Sequence, residues 1–226
     1  MAAGLGRLFV VAGPSGVGKG TVVRLVRERT PAIHLSVSAT TRAPRSGERE
    51  GVDYRFVSED AFDRMIEAGE LLEWEEIFGH RSGTPAEPVR RALGAGIDVL
   101  LELDVTGARH VREVMPRAVL ILLEPPTMEE LERRLRSRGT ETEEGLARRL
   151  AKADRELEQR EAFDAVIVND DAERAADEVA AIIDASPQVD GLLGATPGEK
   201  AKGKAKGKAK GKAKGKAKGK EGSSNP

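Results

Sequence analysis

Residues Gly13-Pro14-Ser15-Gly16-Val17-Gly18-Lys19-Gly20-Thr21 place glycines and a lysine at the spacing G-x-x-x-x-G-K. Glycines there let backbone N–H groups close on phosphate oxygens, and a helix that follows turns its positive N-terminus toward the same anion. Lys19 then supplies a compact cation for β- and γ-phosphates. Composition also singles it out: of the 26 basic residues in 1–198, 24 are arginine, and only Lys19 and Lys152 are lysine. The two residue types are not chemically interchangeable. In such loops a Ser or Thr normally follows the lysine and its hydroxyl helps hold Mg2+. Here Gly20 stands in that place and Thr21 comes next. The expectation is therefore Mg2+ held mainly by nucleotide phosphates, aided by Thr21 and the acid Glu102, with no complete protein cage. Glu102 and Asp104 close an apolar run and are the second pair of acids such a site requires.

A second constellation reads as an acceptor site. In Ser36-Val37-Ser38-Ala39-Thr40-Thr41-Arg42-Ala43-Pro44-Arg45-Ser46-Gly47-Glu48, Arg42 and Arg45 lie three apart on a turn. Two forked guanidinium groups at that spacing can clamp a phosphate. Tyr54 offers a phenolic donor to the same group. Glu73, in Glu70-Leu71-Leu72-Glu73-Trp74, is a carboxylate among apolar neighbours. One carboxylate can accept from both the ring N–H and the exocyclic amine of guanine, a donor pair that adenine lacks. Hydroxyls on Ser38 and Thr84 are available to guanine's remaining acceptors.

The surrounding pattern supplies the elements these residues need. Residues 7–12 (RLFVVA) read as a buried strand that runs straight into the glycine loop, and Val22, Val23, Leu25 and Val26 follow at helical spacing. Further buried strands are expected at 98–103, 118–123 and 165–168. Helices are expected at 105–115, 127–136, 144–160 and 172–185. Apolar strands alternating with helices imply a parallel sheet covered on both faces. Residues 36–95 break this rhythm: 35–41 and 54–57 alternate, with polar turns between them, which fits an inserted mixed or antiparallel unit. Residues 137–145 are polar, flanked by arginines, and suit a mobile lid.

Cysteine is absent, which excludes a disulfide scaffold and thiolate metal sites. His34, His80 and His110 are scattered and suggest no metal set. No apolar run approaches the ~20 residues of a membrane helix, and residues 1–7 show no export signal, so a cytoplasmic protein is expected. The net charge of −1 hides a split. Residues 199–226 hold eleven lysines and two glutamates, a net of +9; the remaining 26 basic and 36 acidic residues give 1–198 a net of −10. Lys-Ala-Lys-Gly repeats five times from Lys200, ending at Lys220. Regular glycine and like charge oppose a helix there, and no large apolar side chain offsets ordering entropy. A tail of this kind is expected to be disordered in isolation, and three roles are open to it: non-specific binding of nucleic acid or other polyanions through counterion release, a solubilising appendage, or a tether of the acidic body to itself or to ribonucleoprotein.

Taken together, GPSGVGKGT, SVSATTRAPRSGE, GVDY, GELLEW, RSGT, LELD, RGTETEE and VIVNDD resemble the guanylate kinases in order and spacing, over about residues 7–185. The resemblance implies an α/β fold: a P-loop parallel-sheet core with helices on both faces, an inserted mixed α/β GMP-binding subdomain and an arginine-rich lid. By it, the domain spans 1–186, with core 1–35 and 96–186, acceptor subdomain about 36–95 and lid about 137–147. A linker (187–199) and the tail (200–226) follow. It implies transfer of the γ-phosphoryl group of ATP to GMP, giving ADP and GDP in purine nucleotide metabolism, with dGMP a secondary acceptor. Ser38, Arg42, Arg45, Tyr54, Glu73, Thr84 and Asp104, with Glu102 beside them, would contact GMP. Arg134, Arg138 and Arg149 would close on the ATP phosphates, and Asn169 would lie on the adenine side. Ser82 and Thr106 depart from the family pattern of Tyr and Gln, and Arg81 is expected to replace the missing phenol at the GMP phosphate.

Two other readings share features with this one. Adenylate kinases also write GKGT, but Glu73 and the SVSATTR stretch favour guanine. Guanylate-kinase-like scaffold modules bind proteins and tend to lose the phosphate loop or lid, whereas Lys19, Arg42 and Arg45 are present here.

Overall fold

The computed structural model describes residues 4–45, 47–77, 79–137 and 142–188. Its centre is strand β1 (Leu8–Ala12), five residues that are all buried because both faces of the sheet are covered. Alternate side chains divide between two cores. Phe9 and Val11 face a cluster with Val22, Val26, Val179 and Ile183 of helices α1 (Lys19–Arg29) and α7 (Ala172–Ala185). Leu8, Val10 and Ala12 face the opposite cluster, with Val89 and Leu93 of α3 (Ala86–Gly94) and Ala108 and Val111 of α4 (Val105–Val114). Each fully buried side chain of this size contributes roughly 1.5–3 kcal/mol before ordering entropy is charged against it.

The main sheet has the order β2-β7-β1-β8-β9, all parallel, with β2 His34–Leu35, β7 Val99–Leu103, β8 Val119–Glu124 and β9 Ala165–Val168. From β1 the chain crosses through α1 to β2, β7 then fills the place between them, and β8 and β9 extend the sheet on the other side of β1. The crevice at the C-terminal ends of β1 and β7 is thus a topological switch point, where ligands bind in open α/β sheets. The expected strands and helices of this core are present within a residue or two at most ends. The exception is 144–160, where α6 (Glu143–Leu157) stops early and a 3-10 turn covers Arg160–Ala162.

A second sheet, order β4-β3-β6-β5, stands over that crevice. Strand β3 (Ala39–Thr40) pairs parallel with β4 (Arg55–Phe56) and antiparallel with β6 (His80–Pro85). Strand β5 (Leu71–Ile77) forms a hairpin with β6. Helix α2 (Glu59–Glu67), capped by Ser58, seals this unit through Phe62 and Met65 against Ala39. Helix α3 follows β6 directly but packs its apolar face into the main core. Helix α5 (Met128–Ser137) packs on α6 through Leu131, Leu135, Leu146 and Ala153. Among the described residues, no helix is long and apolar enough to cross a membrane.

Candidate active site

The switch-point crevice and the second sheet enclose one cleft of about 560 Å3. Its floor is the glycine loop. Gly18 caps α1 with φ 100°, a left-handed conformation that a residue with a side chain adopts at a cost, and a Cβ there would lie 2.6 Å from Asn169 Nδ2. No side chain caps α1, whereas α2, α4, α6 and α7 are each capped by a Ser, Asp or Thr oxygen. The first N–H groups of α1 are thereby left for an anion. Lys19 Nζ donates to Gly13 O at 2.6 Å and Pro14 O at 3.2 Å, which folds the side chain along the loop. Burial lowers its pKa, while Glu102, Glu156 and Asp104 pull the other way and favour the ammonium.

Two residues expected at the nucleotide hydrogen-bond to the glycine loop. Asn169 is buried, and its amide donates to Val17 O at 2.7 Å. Arg134 donates to Val17 O at 3.2 Å and to Asn169 O at 3.0 Å, and pairs with Glu130. Neither they nor Gly13, Pro14 and Val17 line the cleft, whereas Ser15, Gly16, Gly18, Gly20, Thr21 and Arg149 do. Arg149, on α6, donates to Ser15 Oγ at 2.8 Å. Arg138 lies outside the described residues, as does the 200–226 tail.

The opposite wall carries Ser38, Arg42, Arg45, Tyr54 and Glu73. Arg42 is held in a fork by Glu48, at 2.9 Å from each nitrogen, and Glu48 also accepts from the Arg45 backbone N–H at 2.7 Å. That hydrogen-bonded pairing raises the Arg42 pKa and lowers that of Glu48. The guanidinium also stacks 5.2 Å from the Tyr54 ring centre. Glu48, which sequence reasoning left without a role, therefore presets the geometry in which a phosphate would be gripped.

A bulge places Glu73 in the cleft wall. The β5–β6 register shifts between Leu71 and Glu73, so Leu72 turns into the main core while Glu73 lies opposite Thr84. Glu73 is 6% exposed, and Thr84 donates its hydroxyl hydrogen to Glu73 Oε1 at 2.6 Å. The Thr84 hydroxyl thus orients the acid and does not itself line the cleft. Burial raises the Glu73 pKa to about 7, against the Thr84 hydrogen bond. Its Oε2 lies 3.0 Å from the point a Cβ on Gly107 would occupy. Gly107→Ala is expected to push Glu73 aside and raise KM for the acceptor about tenfold, the scale of one lost hydrogen bond. Its melting temperature should hold or rise, since alanine favours the helix; steady-state kinetics beside a thermal melt check both.

Sequence reasoning missed a cluster between the two walls. Asp104 Oδ1 accepts from the Gly107 N–H at 2.8 Å, and its Oδ2 accepts from Lys152 Nζ at 2.7 Å. Lys152 also stands 3.3 Å from Glu156, which is 4% exposed. Burial and the adjacent Asp104 carboxylate raise the Glu75 pKa to about 9. Burial favours the neutral form of Asp104 too, but hydrogen bonds from Glu75 and the charge of Lys152 outweigh it and hold its pKa low. The signal for Lys152 was present in its rarity among arginines; Glu75 and Glu156 carried none. Arg81 lines the cleft, yet its donors are taken by Glu59 and Asp63 of α2, so it is already paired where the missing phenol was to be replaced.

Glu102, at the end of β7, faces the start of α1, with both carboxylate oxygens 3.7 Å from where a Gly20 Cβ would be. Burial raises its pKa, with Lys19 opposing. An oxygen donor at that point suits a hard divalent cation that keeps phosphate and water ligands. Among the described residues, no three His, Asp or Glu side chains are grouped to hold a metal unaided.

The guanylate kinase family model matches residues 5–186. A guanylate kinase of Nocardia farcinica is 60% identical over 179 residues, covering 78% of this chain and 93% of that protein. One from Rhodococcus jostii is 56% identical over 185 residues, covering 81% and 89%. The crystal structure of guanylate kinase from Anaplasma phagocytophilum superposes with a TM-score of 0.68 at 37% identity, covering 82% of this chain and 88% of that one. A phosphate loop and a buried acid facing each other across one cleft are thus found in a chain that belongs to the guanylate kinase family.

Proposed function

We propose that this guanylate kinase, which phosphorylates GMP to GDP with ATP, seats the two nucleotides end to end in the cleft with its own residues in distinct roles. The observation that carries this reading is the placement of Glu73 and Arg42 on one wall and Lys19 with the uncapped α1 on the other. Ionised Glu73 accepts from the two neighbouring donors of guanine, with Thr84 fixing its orientation. Ser38 and Asp104 complete the acceptor wall. Arg42, Arg45 and Tyr54 grip the GMP phosphate, which takes over from Glu48 in the Arg42 fork.

ATP phosphates rest on the N–H groups of residues 16–21, with Lys19 on the β,γ bridge and Arg149 closing from α6. Arg138 is assigned the same task by family position; Arg134 and Asn169 hold the loop at Val17. Glu102 and Thr21 would help hold Mg2+ beside the nucleotide phosphates, where the ion would supply charge neutralisation to phosphoryl transfer. The attacking atom is an oxygen of a phosphate already anionic at neutral pH, so the site requires no general base. Its residues act by alignment and by stabilising charge in a loose, in-line transition state. Residues of about 36–95 form the acceptor unit and about 137–147 the lid, whose closure excludes water from ATP. dGMP serves as a secondary acceptor, and the basic 200–226 tail binds polyanions.

The test is a coupled assay offering GMP, dGMP, AMP and UMP as acceptors, run on the full chain and on residues 1–186. GMP is expected to be preferred by at least about a hundredfold over AMP, with equal turnover for both chains. Salt-sensitive retention on immobilised DNA should belong to the full chain alone. Equal use of AMP would reject the base assignment, and loss of turnover on truncation would reject the separation of tail from site.

A further inference from the structure

The second lysine of the body stands half-buried in the cleft, where its ammonium pairs with acids and not with the glycine loop. Lys152 sits one turn beyond Arg149 on α6, and residues three apart share a helix face. That face points two ways. Arg149 reaches Ser15 in the phosphate loop at 2.8 Å, and Lys152 reaches Asp104 Oδ2 at 2.7 Å. Asp104 has its other oxygen fixed on the Gly107 N–H and also accepts from Glu75, and Lys152 adds the charged contact to its second oxygen. The same Gly107 position lies 3.0 Å from Glu73 Oε2 and 3.5 Å from Asp104 Oδ1, measured from where its Cβ would stand. The carboxylate Lys152 holds is therefore next to the one that reads the base.

We propose that Lys152 is a positioning residue that fixes Asp104 for the acceptor and, because it rides on α6 with Arg149, ties closure over ATP to assembly of the GMP site. This rests on the reading of Arg149 as closing on the ATP phosphates and of Asp104 as an acceptor contact. Motion of α6 away from the loop withdraws both contacts together: Ser15 loses Arg149, and Asp104 loses its ammonium. Asp104 then keeps the Gly107 N–H and the hydrogen bond from Glu75 but loses the cation it shares with Glu156, so its carboxylate is held less firmly. Binding of GMP against a fixed Asp104 favours the closed helix, and the closed helix favours ATP. Such coupling is reciprocal by thermodynamic necessity.

The experiment compares wild type, Lys152→Met, Lys152→Arg and Asp104→Asn on the full chain. Two quantities are read: KM and kcat for GMP, and the factor by which saturating GMP tightens binding of the non-transferable analogue β,γ-imido-ATP. Lys152→Met is expected to raise KM for GMP about tenfold with kcat within about threefold, and to bring the coupling factor close to one. Lys152→Arg, which keeps the charge and a donor, should recover both to within about threefold. Lys152→Gln carries the same comparison should the Met variant not fold. An unchanged KM for GMP, or an undiminished coupling factor, overturns the proposal. If Asp104→Asn raises KM while Lys152→Met does not, only the role of Lys152 fails. If Asp104→Asn leaves KM unchanged, the acceptor reading of Asp104 fails and the proposal with it.

Discussion

Lys19→Ala is expected to lower kcat by about 10²–10³-fold, the scale seen when one preorganised donor is removed from a charged transition state, while the dissociation constant for GMP shifts less than about threefold. The split follows from position. Lys19 lies on the donor side of the cleft, folded against Gly13 and Pro14, whereas Arg42, Arg45 and Tyr54 form the opposite wall. Burial lowers its pKa while Glu102, Glu156 and Asp104 favour the ammonium, and little solvent screens that charge from the phosphates. Arginine at this position would not restore the rate, because a planar fork cannot follow the same path along the loop carbonyls. Steady-state turnover with equilibrium titration of GMP checks both halves. Turnover near that of wild type would move the charge stabilisation elsewhere.

Glu73→Gln should have the larger effect on specificity. A carboxylate offers acceptors on both oxygens; an amide replaces one with a donor, which then faces a guanine N–H in a dry site. A buried polar mismatch of this kind costs more than the hydrogen bond it replaces. The preference for GMP over AMP is expected to fall by about 10²–10³-fold, mostly through kcat/KM for GMP. The pH dependence follows from the same burial. With its pKa raised to about 7, Glu73 is largely protonated in the free enzyme below that pH. Since guanine requires the ionised form, kcat/KM for GMP should fall about tenfold per pH unit on the acid side of 7, and that limb should be absent in the Gln variant.

Stability runs in the opposite direction. A carboxyl whose pKa is raised by folding contributes stability that is complete below its ordinary value near 4.5 and is lost as pH rises through about 7. Above pH 7 the Gln variant should therefore melt higher than the wild type. A profile that is flat for both proteins would show that Glu73 is ionised throughout, and a variant that keeps the GMP preference would show that the base is read elsewhere.

Much of the core was legible because its signals are local. The β1–loop–α1 unit is written in consecutive residues, and the other core strands are short apolar runs stopped by Asp104, Pro125-Pro126 and Asn169-Asp170. Residues 58–95 were harder to read. Helix α2 had a cap at Ser58 and apolar residues at 62, 65 and 66, a signal present but not used. The β5–β6 hairpin lacks one, since its bulge buries Leu72 and Glu73 in succession and destroys alternation. Helix α3 illustrates the limit from another side, because nothing in its own sequence says that it packs against β7 rather than the second sheet.

By itself, the sequence determined which chemistry this protein carries: a phosphate loop with one lysine, an arginine clamp at a three-residue spacing, and an acid among apolar neighbours. Each is a property of adjacent residues, so it survives without coordinates. Only the tertiary structure decided how those groups are charged and aimed. Thr84 turns toward Glu73, Asn169 and Arg134 turn toward Val17 of the loop, and Glu48 occupies the Arg42 fork. Lys152 meets Asp104 across 48 residues of chain. Burial and pairing between distant segments set both pKa and orientation, and these are sums over neighbours in space that no local spacing encodes.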